Sequence, residues 1–203
     1  LHKDWRAHLF NRYGAQQAAV LDQGQTKVTL LSDGISTCMG PEWSPSGEKI
    51  VWSCSHPVDG PAIFVTEGLS GEPEVSLKGA FARDFAWRKD SKALFYSSSH
   101  VVDRFNLFDD VWFHRLGKDT ATAITSGSRA RQPTLTPDGE VLVAVTNKTQ
   151  QNQLVRLTVD KALKPLTEHT DHTQLSSPRF SPDGRHIALS LWRDGQRDIW
   201  IYT

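Results

Sequence analysis

The residues best suited to chemistry crowd into Glu168-His-Thr-Asp-His172, where two imidazoles and two carboxylates share five positions. His169, Asp171 and His172 have the donor types of a metal site or of a proton-transfer group. An i, i+3 spacing is diagnostic only on a helix, and this segment reads as a loop, where such side chains meet water. Smaller polar groups recur elsewhere: His56 with Asp59, His100 with Asp103 and Arg104, and Arg193 with Asp194 and Arg197. Arg83, Arg129 and Arg131 add forked donors, which either grip carboxylates of a peptide partner or close local salt bridges. No complete catalytic set accompanies them. Gly68-Leu-Ser-Gly71 is one residue short of a G-x-S-x-G elbow, and the chain has no H-E-x-x-H, P-loop or dinucleotide-binding glycine pattern. No catalytic residue, metal ligand or cofactor is assigned on these grounds.

What positions these groups is a phrase written four times: Trp43-Ser-Pro-Ser-Gly47, Trp87-Arg-Lys-Asp-Ser91, Leu135-Thr-Pro-Asp-Gly139 and Phe180-Ser-Pro-Asp-Gly184. Its bulky first residues stand 44, 48 and 45 positions apart. A period in the forties with strand-like contents predicts an all-β fold, a β-propeller of four-stranded antiparallel blades. Pro presets the first corner of the turn, Asp bonds downstream backbone, and Gly takes φ > 0 where the next strand begins. The second copy lacks both Pro and Gly, which leaves its turn less defined. After each turn the run is apolar at successive positions (Ile50-Val-Trp52, Leu94-Phe-Tyr96, Leu142-Val-Ala144, Ile187-Ala-Leu189), as in a strand buried on both faces.

The blades are placed at 41–77, 84–125, 133–167 and 178–203, the fourth lacking its own last strand. Loops joining one blade to the next, and loops joining second to third strands, emerge on one face. That gathers His56, His100, Asp103, Arg104, Arg131, His169, Asp171, His172 and Arg193 as candidate binding residues. The longest loop is expected over Ser98–Phe108; its Phe105, Leu107 and Phe108 either anchor a partner or fold back on their own blade. Asp110 and Asp198, at third-strand starts, read as turn caps rather than ligand contacts.

Residues 1–26 form a helical leader. Trp5, Leu9 and Tyr13 mark one stripe, Asp4 is an N-cap, and Gly14 is a stop or kink before a second short run. Residues 27–32 then read as a strand. It either closes the fourth blade, making a four-bladed ring, or belongs to a larger ring of which this chain is a part. The second account is preferred, since such a strand closes the last blade in rings of any size.

The segments Pro41-Glu-Trp-Ser-Pro-Ser-Gly47 and Ser177-Pro-Arg-Phe-Ser-Pro-Asp-Gly184, with Asp110-Val-Trp112, Asp198-Ile-Trp200 and Pro165-Leu-Thr167, resemble the TolB-like, WD-type propeller repeat of bacteria. The resemblance covers about residues 27–203. It implies a ring that usually has six blades, and a partner-binding scaffold of the cell envelope. The leader, Asp4-Trp-Arg to Arg12-Tyr-Gly14, is similar to the junction where a zinc peptidase-like domain precedes such a propeller in envelope proteins.

Lys plus Arg and Asp plus Glu balance at 23 each, so no global field favours nucleic acid or an anionic membrane. No apolar run approaches the roughly 20 residues that span a bilayer. Cys38 and Cys54 fall nearly opposite each other on the first hairpin. They form either a disulfide, which would favour an oxidising compartment, or two buried thiols. These readings lead to a non-catalytic scaffold that binds a protein or peptide in the periplasm or cell envelope. The alternative is the substrate-filtering propeller of a larger peptidase, zinc peptidase-like or prolyl-oligopeptidase-like, whose catalytic domain is outside this chain.

Overall fold

Each copy of the repeated phrase folds the chain back through the same hydrogen bonds. In the computed structural model, Ser44, Arg88, Thr136 and Ser181 donate their N–H groups to the carbonyls of Lys49, Ala93, Val141 and His186. Their own carbonyls accept from the N–H groups of Gly47, Ser91, Gly139 and Gly184. All four of those residues have left-handed φ, including Ser91 at 55°. The missing glycine therefore leaves the second turn unchanged, at a local cost of about 1–2 kcal/mol. The Ser91 hydroxyl is used in turn, accepting the Ser46 N–H of the neighbouring sheet at 3.3 Å. In the third and fourth turns Asp138 and Asp183 each accept a hydroxyl and a backbone N–H, which holds both carboxyls below the usual range.

The structure describes residues 2–24, 28–68, 71–158 and 162–203, without the side chains of His2 and Lys3. The turns build four antiparallel sheets, each ordered as in the sequence. Sheet one holds β1 (Thr37–Trp43), β2 (Lys49–His56), β3 (Gly60–Glu67) and β4 (Glu74–Lys78). Sheet two holds β5 (Arg83–Trp87), β6 (Ala93–Val102), β7 (Asn106–Arg115) and β8 (Ala121–Ala123). Sheet three holds β9 (Ala130–Leu135), β10 (Leu142–Thr146), β11 (Gln153–Leu157) and β12 (Leu163–Pro165). Sheet four has three strands, β13 (Gln174–Phe180), β14 (Ile187–Arg193) and β15 (Gln196–Tyr202). Cys38 is the register partner of Cys54 across β1 and β2, and the two form a disulfide.

Cores lie between consecutive sheets. Val51, Ile63 and Leu77 of sheet one pack with Phe85, Leu94 and Tyr96 of sheet two. Strand β10 is buried on both faces: Leu142 and Ala144 pack with Val111 of sheet two, while Val143 and Val145 pack with Leu175, Leu189 and Leu191 of sheet four. This is the two-sided burial that stacked blades require. Bonds that span 45 residues tie inner strands together, from Trp87 Nε1 to the Glu42 carbonyl and from the Ser177 N–H to Gln132 Oε1.

Four expectations are corrected. Residues 28–32 carry no strand, so the fourth sheet has no fourth member among the described residues; Lys27 lies outside them, as do Val159 and residues 1, 25 and 26. Val28 and Leu30 have strand propensity but no ladder to join. Strand β14 is not buried on both faces, because Ala188 is exposed on the side that no further sheet covers. The segment 98–108 is not a loop: ten register pairs run from Ala93↔Arg115 to Val102↔Asn106, closed by left-handed Asp103 and Arg104. Finally, α1 (His2–Gln23) runs through Gly14 without a break, since one interior glycine costs only about 1 kcal/mol. It belongs to a compact unit of residues 1–30, and the sheets to a second unit of residues 31–203.

Candidate binding face

Loops leave the sheets at the end where β5, β9 and β13 begin, and two of these loops are fixed by one polar side chain each. Asp110, fully buried in the middle of β7, accepts the Thr125 hydroxyl at 2.5 Å and the N–H groups of Gly127 and Ser128 at 2.7 and 3.0 Å. Thr125 Oγ1 in turn accepts the Val111 N–H. Gln153 repeats the device in sheet three: its Oε1 accepts from the Thr167 hydroxyl and the His169 N–H, and its Nε2 donates to the His169 carbonyl. Asp110 is thus a cap. Among the described residues, the Asp198 carboxylate has only the Gln196 amide, at 3.1 Å.

The lock on 167–169 places the polar cluster that stands out in the sequence. Arg193 Nε donates to Thr173 Oγ1 at 3.0 Å and lies 3.2 Å from Asp171 Oδ2, while its Nη2 meets His169 Nδ1 at 3.3 Å. The Thr173 hydroxyl and N–H, followed by Arg193 and His169, hold the Asp171 carboxyl below its ordinary value. Asp171 and His169 are therefore taken up by a guanidinium, and His172 is exposed beside them. No three His, Cys, Asp or Glu among the described residues are placed to hold a metal ion. His56 acts locally: its Nδ1 accepts the N–H groups of Val58 and Asp59 at the tip of the β2–β3 hairpin.

The β6–β7 hairpin carries the other candidates. His100 sits edge-on to Trp112, with Nδ1 3.7 Å from Asp110 Oδ2, too far for a hydrogen bond. Asp103 and Arg104 make the exposed tip. Phe105 is 90% exposed and Leu107 64% exposed, whereas Phe108 turns inward under the Arg129 guanidinium, 4.3 Å from its ring centroid. Beside them opens a hollow of about 440 Å³ walled by Arg83, Arg129, Arg131, Leu107, Phe108 and Asp109. Arg83 donates to Asp109 Oδ1 at 2.7 Å and to Ser99 Oγ at 3.1 Å. Among the described residues, the Arg131 side chain reaches only Asn152 Oδ1, at 3.4 Å.

A second hollow, of about 290 Å³, is lined by the inner strands of all four sheets. Glu42, Ala86, Thr134 and Arg179 line it together, each preceding the bulky residue of its repeat. Burial raises the Glu42 carboxyl, with Arg179 opposing the shift. Sequence reading passed over this set, although aligning the four copies places these residues at equivalent positions.

The geometry matches known structures. TolB from Acinetobacter baumannii superposes with a TM-score of 0.66 and 23% identity, over 82% of this chain and 41% of that one. The fold is a TolB-like β-propeller. A TolB candidate from Agrobacterium tumefaciens gives 0.61 and 16% identity, over 82% of this chain and 76% of that one. A prolyl endopeptidase gives 0.61 and 17% identity, over 88% of this chain and 29% of that one. The chain therefore spans less than half of the Acinetobacter TolB and less than a third of the endopeptidase. No protein-family profile and no curated protein sequence matches the chain.

Proposed function

We propose that the chain is a non-catalytic propeller scaffold that binds a protein or peptide on its loop face, in the bacterial cell envelope. The observation that carries this reading is the β6–β7 hairpin. Its ladder holds Val101 and Leu107, and its turn holds Phe105, out in water beside a cationic hollow, where they serve no core. Exposed apolar groups rimmed by polar ones mark interaction surfaces. The Cys38–Cys54 disulfide supports an oxidising compartment, and no helix among the described residues is long and apolar enough to cross a membrane. Of the candidate residues, Asp103, Arg104, Arg131 and His172 face the partner, while His56, His100, His169, Asp171 and Arg193 shape the surface. A photoreactive phenylalanine analogue at position 105 should cross-link one envelope protein, and the same group at Lys118, on a turn at the opposite end of the sheets, should not. Equal labelling from both positions, or none from position 105, would overturn the reading.

The fold likeness to a prolyl endopeptidase supports a second reading, in which the propeller filters substrate for a peptidase domain elsewhere in a longer protein. The parent reading frame decides between them. A G-x-S-x-G or H-E-x-x-H segment outside these residues selects the peptidase, and their absence from the whole frame removes it.

A further inference from the structure

Resting on the peptide-binding reading, we propose that the hollow between sheets two and three receives a carboxylate of an acidic peptide segment, gripped by Arg129 and Arg131. The wall holds three guanidiniums and one carboxylate. Asp109 and Ser99 satisfy Arg83, so the remaining pair carries the unbalanced charge. Arg129 lies over the Phe108 ring and has no ion pair or hydrogen bond to a side chain among the described residues. Stacking engages the face of a guanidinium and leaves the N–H groups along its edge for an in-plane acceptor. Arg131 has one long contact, to a neutral amide, which a carboxylate would outcompete.

Both arginines are presented rather than loose. Arg129 follows Gly127 and Ser128, whose N–H groups Asp110 holds, and Arg131 lies in the β9 ladder opposite Val145. In the same wall Asp109 already pairs with Arg83, so one of the three guanidiniums there holds a carboxylate. Leu107, exposed on the rim, offers an apolar surface that a peptide uses and a free inorganic anion does not.

The test is calorimetric titration of the whole chain at low salt with three probes: a blocked tetraglutamate peptide, its tetraglutamine counterpart and inorganic phosphate. Tetraglutamate should bind, tetraglutamine should not, and phosphate should bind at least tenfold more weakly. The double variant Arg129→Gln/Arg131→Gln should lose at least tenfold in tetraglutamate affinity with an unchanged melting temperature, while Arg185→Gln, on the exposed fourth repeat turn, should bind as the parent does. Equal binding of tetraglutamine or phosphate, or a double variant that binds normally, overturns the assignment. Sensitivity to Arg185→Gln in place of the arginine pair also overturns it. The absence of any Phe105 cross-link fails the broader reading instead, and that result is independent of the titration.

Discussion

Sheets two and four carry matching segments in their third strands, Asp110-Val-Trp112 and Asp198-Ile-Trp200, and put them to different use. Asp110 is sealed from water and organises the connection to sheet three through Thr125, Gly127 and Ser128. Asp198 is exposed and its carboxylate bonds only a neighbouring glutamine among the described residues, while Ile199, Trp200 and Ile201 stand open on an outermost strand. The motif alone therefore does not define a role. Its chemistry depends on whether a fourth strand ends beside it with a hydroxyl and free N–H groups.

The sharpest way to break this comparison is Asp110→Ala. Two backbone N–H groups and a hydroxyl would lose their acceptor in a buried place, which should cost about 3 kcal/mol. Urea unfolding should show a lower midpoint with an unchanged slope. Arg129 follows the freed loop, so tetraglutamate affinity should fall with it. A loss below about 1 kcal/mol would mean that the loop is fixed by packing rather than by the carboxylate. Gln153→Ala removes the corresponding neutral lock in sheet three and should cost about 1–2 kcal/mol in the same measurement, because uncharged bonds contribute less.

The part of this arrangement that could be read from sequence is local. Pro-Ser-Gly and Pro-Asp-Gly dictate their turns, and the apolar runs after them predict strands covered on both sides. Cys38 and Cys54 follow from the first turn's register. The rest depends on partners far along the chain. Residues 28–32 read as a strand only until one asks what they pair with. The ladder of 98–108 was hidden because Asp103-Arg104 is not a familiar hairpin tip, although both take left-handed φ. Arg83, Arg129 and Arg131 read together from the sequence as carboxylate donors, but the hollow they share is made by the stacking of two sheets.

A pH titration sharpens the contrast further. Where sheet four has the partly exposed Tyr202, sheet two has His114, sealed in the core, its Nδ1–H donating to the Thr120 carbonyl and its Nε2 accepting from the Ser76 hydroxyl. Burial pushes its pKa below the ordinary 6.5. The unfolded chain then binds a proton that the folded one refuses, so this contribution is intact above pH 6.5 and is lost on acidification below it. Between pH 7.5 and 5.0 the unfolding midpoint of the parent should fall by more than that of His114→Gln. Parallel curves would show that His114 takes up a proton inside the fold.

The smallest expected effect is the most telling. Asp198→Ala removes one exposed acceptor whose partner is the flexible Gln196 amide, so stability should change by no more than about 0.5 kcal/mol. The prediction holds because Asp198 has no buried donors to orphan, the term that makes Asp110 costly. A loss above about 1.5 kcal/mol would require donors that the three-stranded sheet does not itself contain, and the outer side of β15 would then be paired in solution. Sedimentation velocity on the same sample would show whether a second copy supplies them. Asp110 and Asp198 would then differ in where their partners come from, and no longer in what they do.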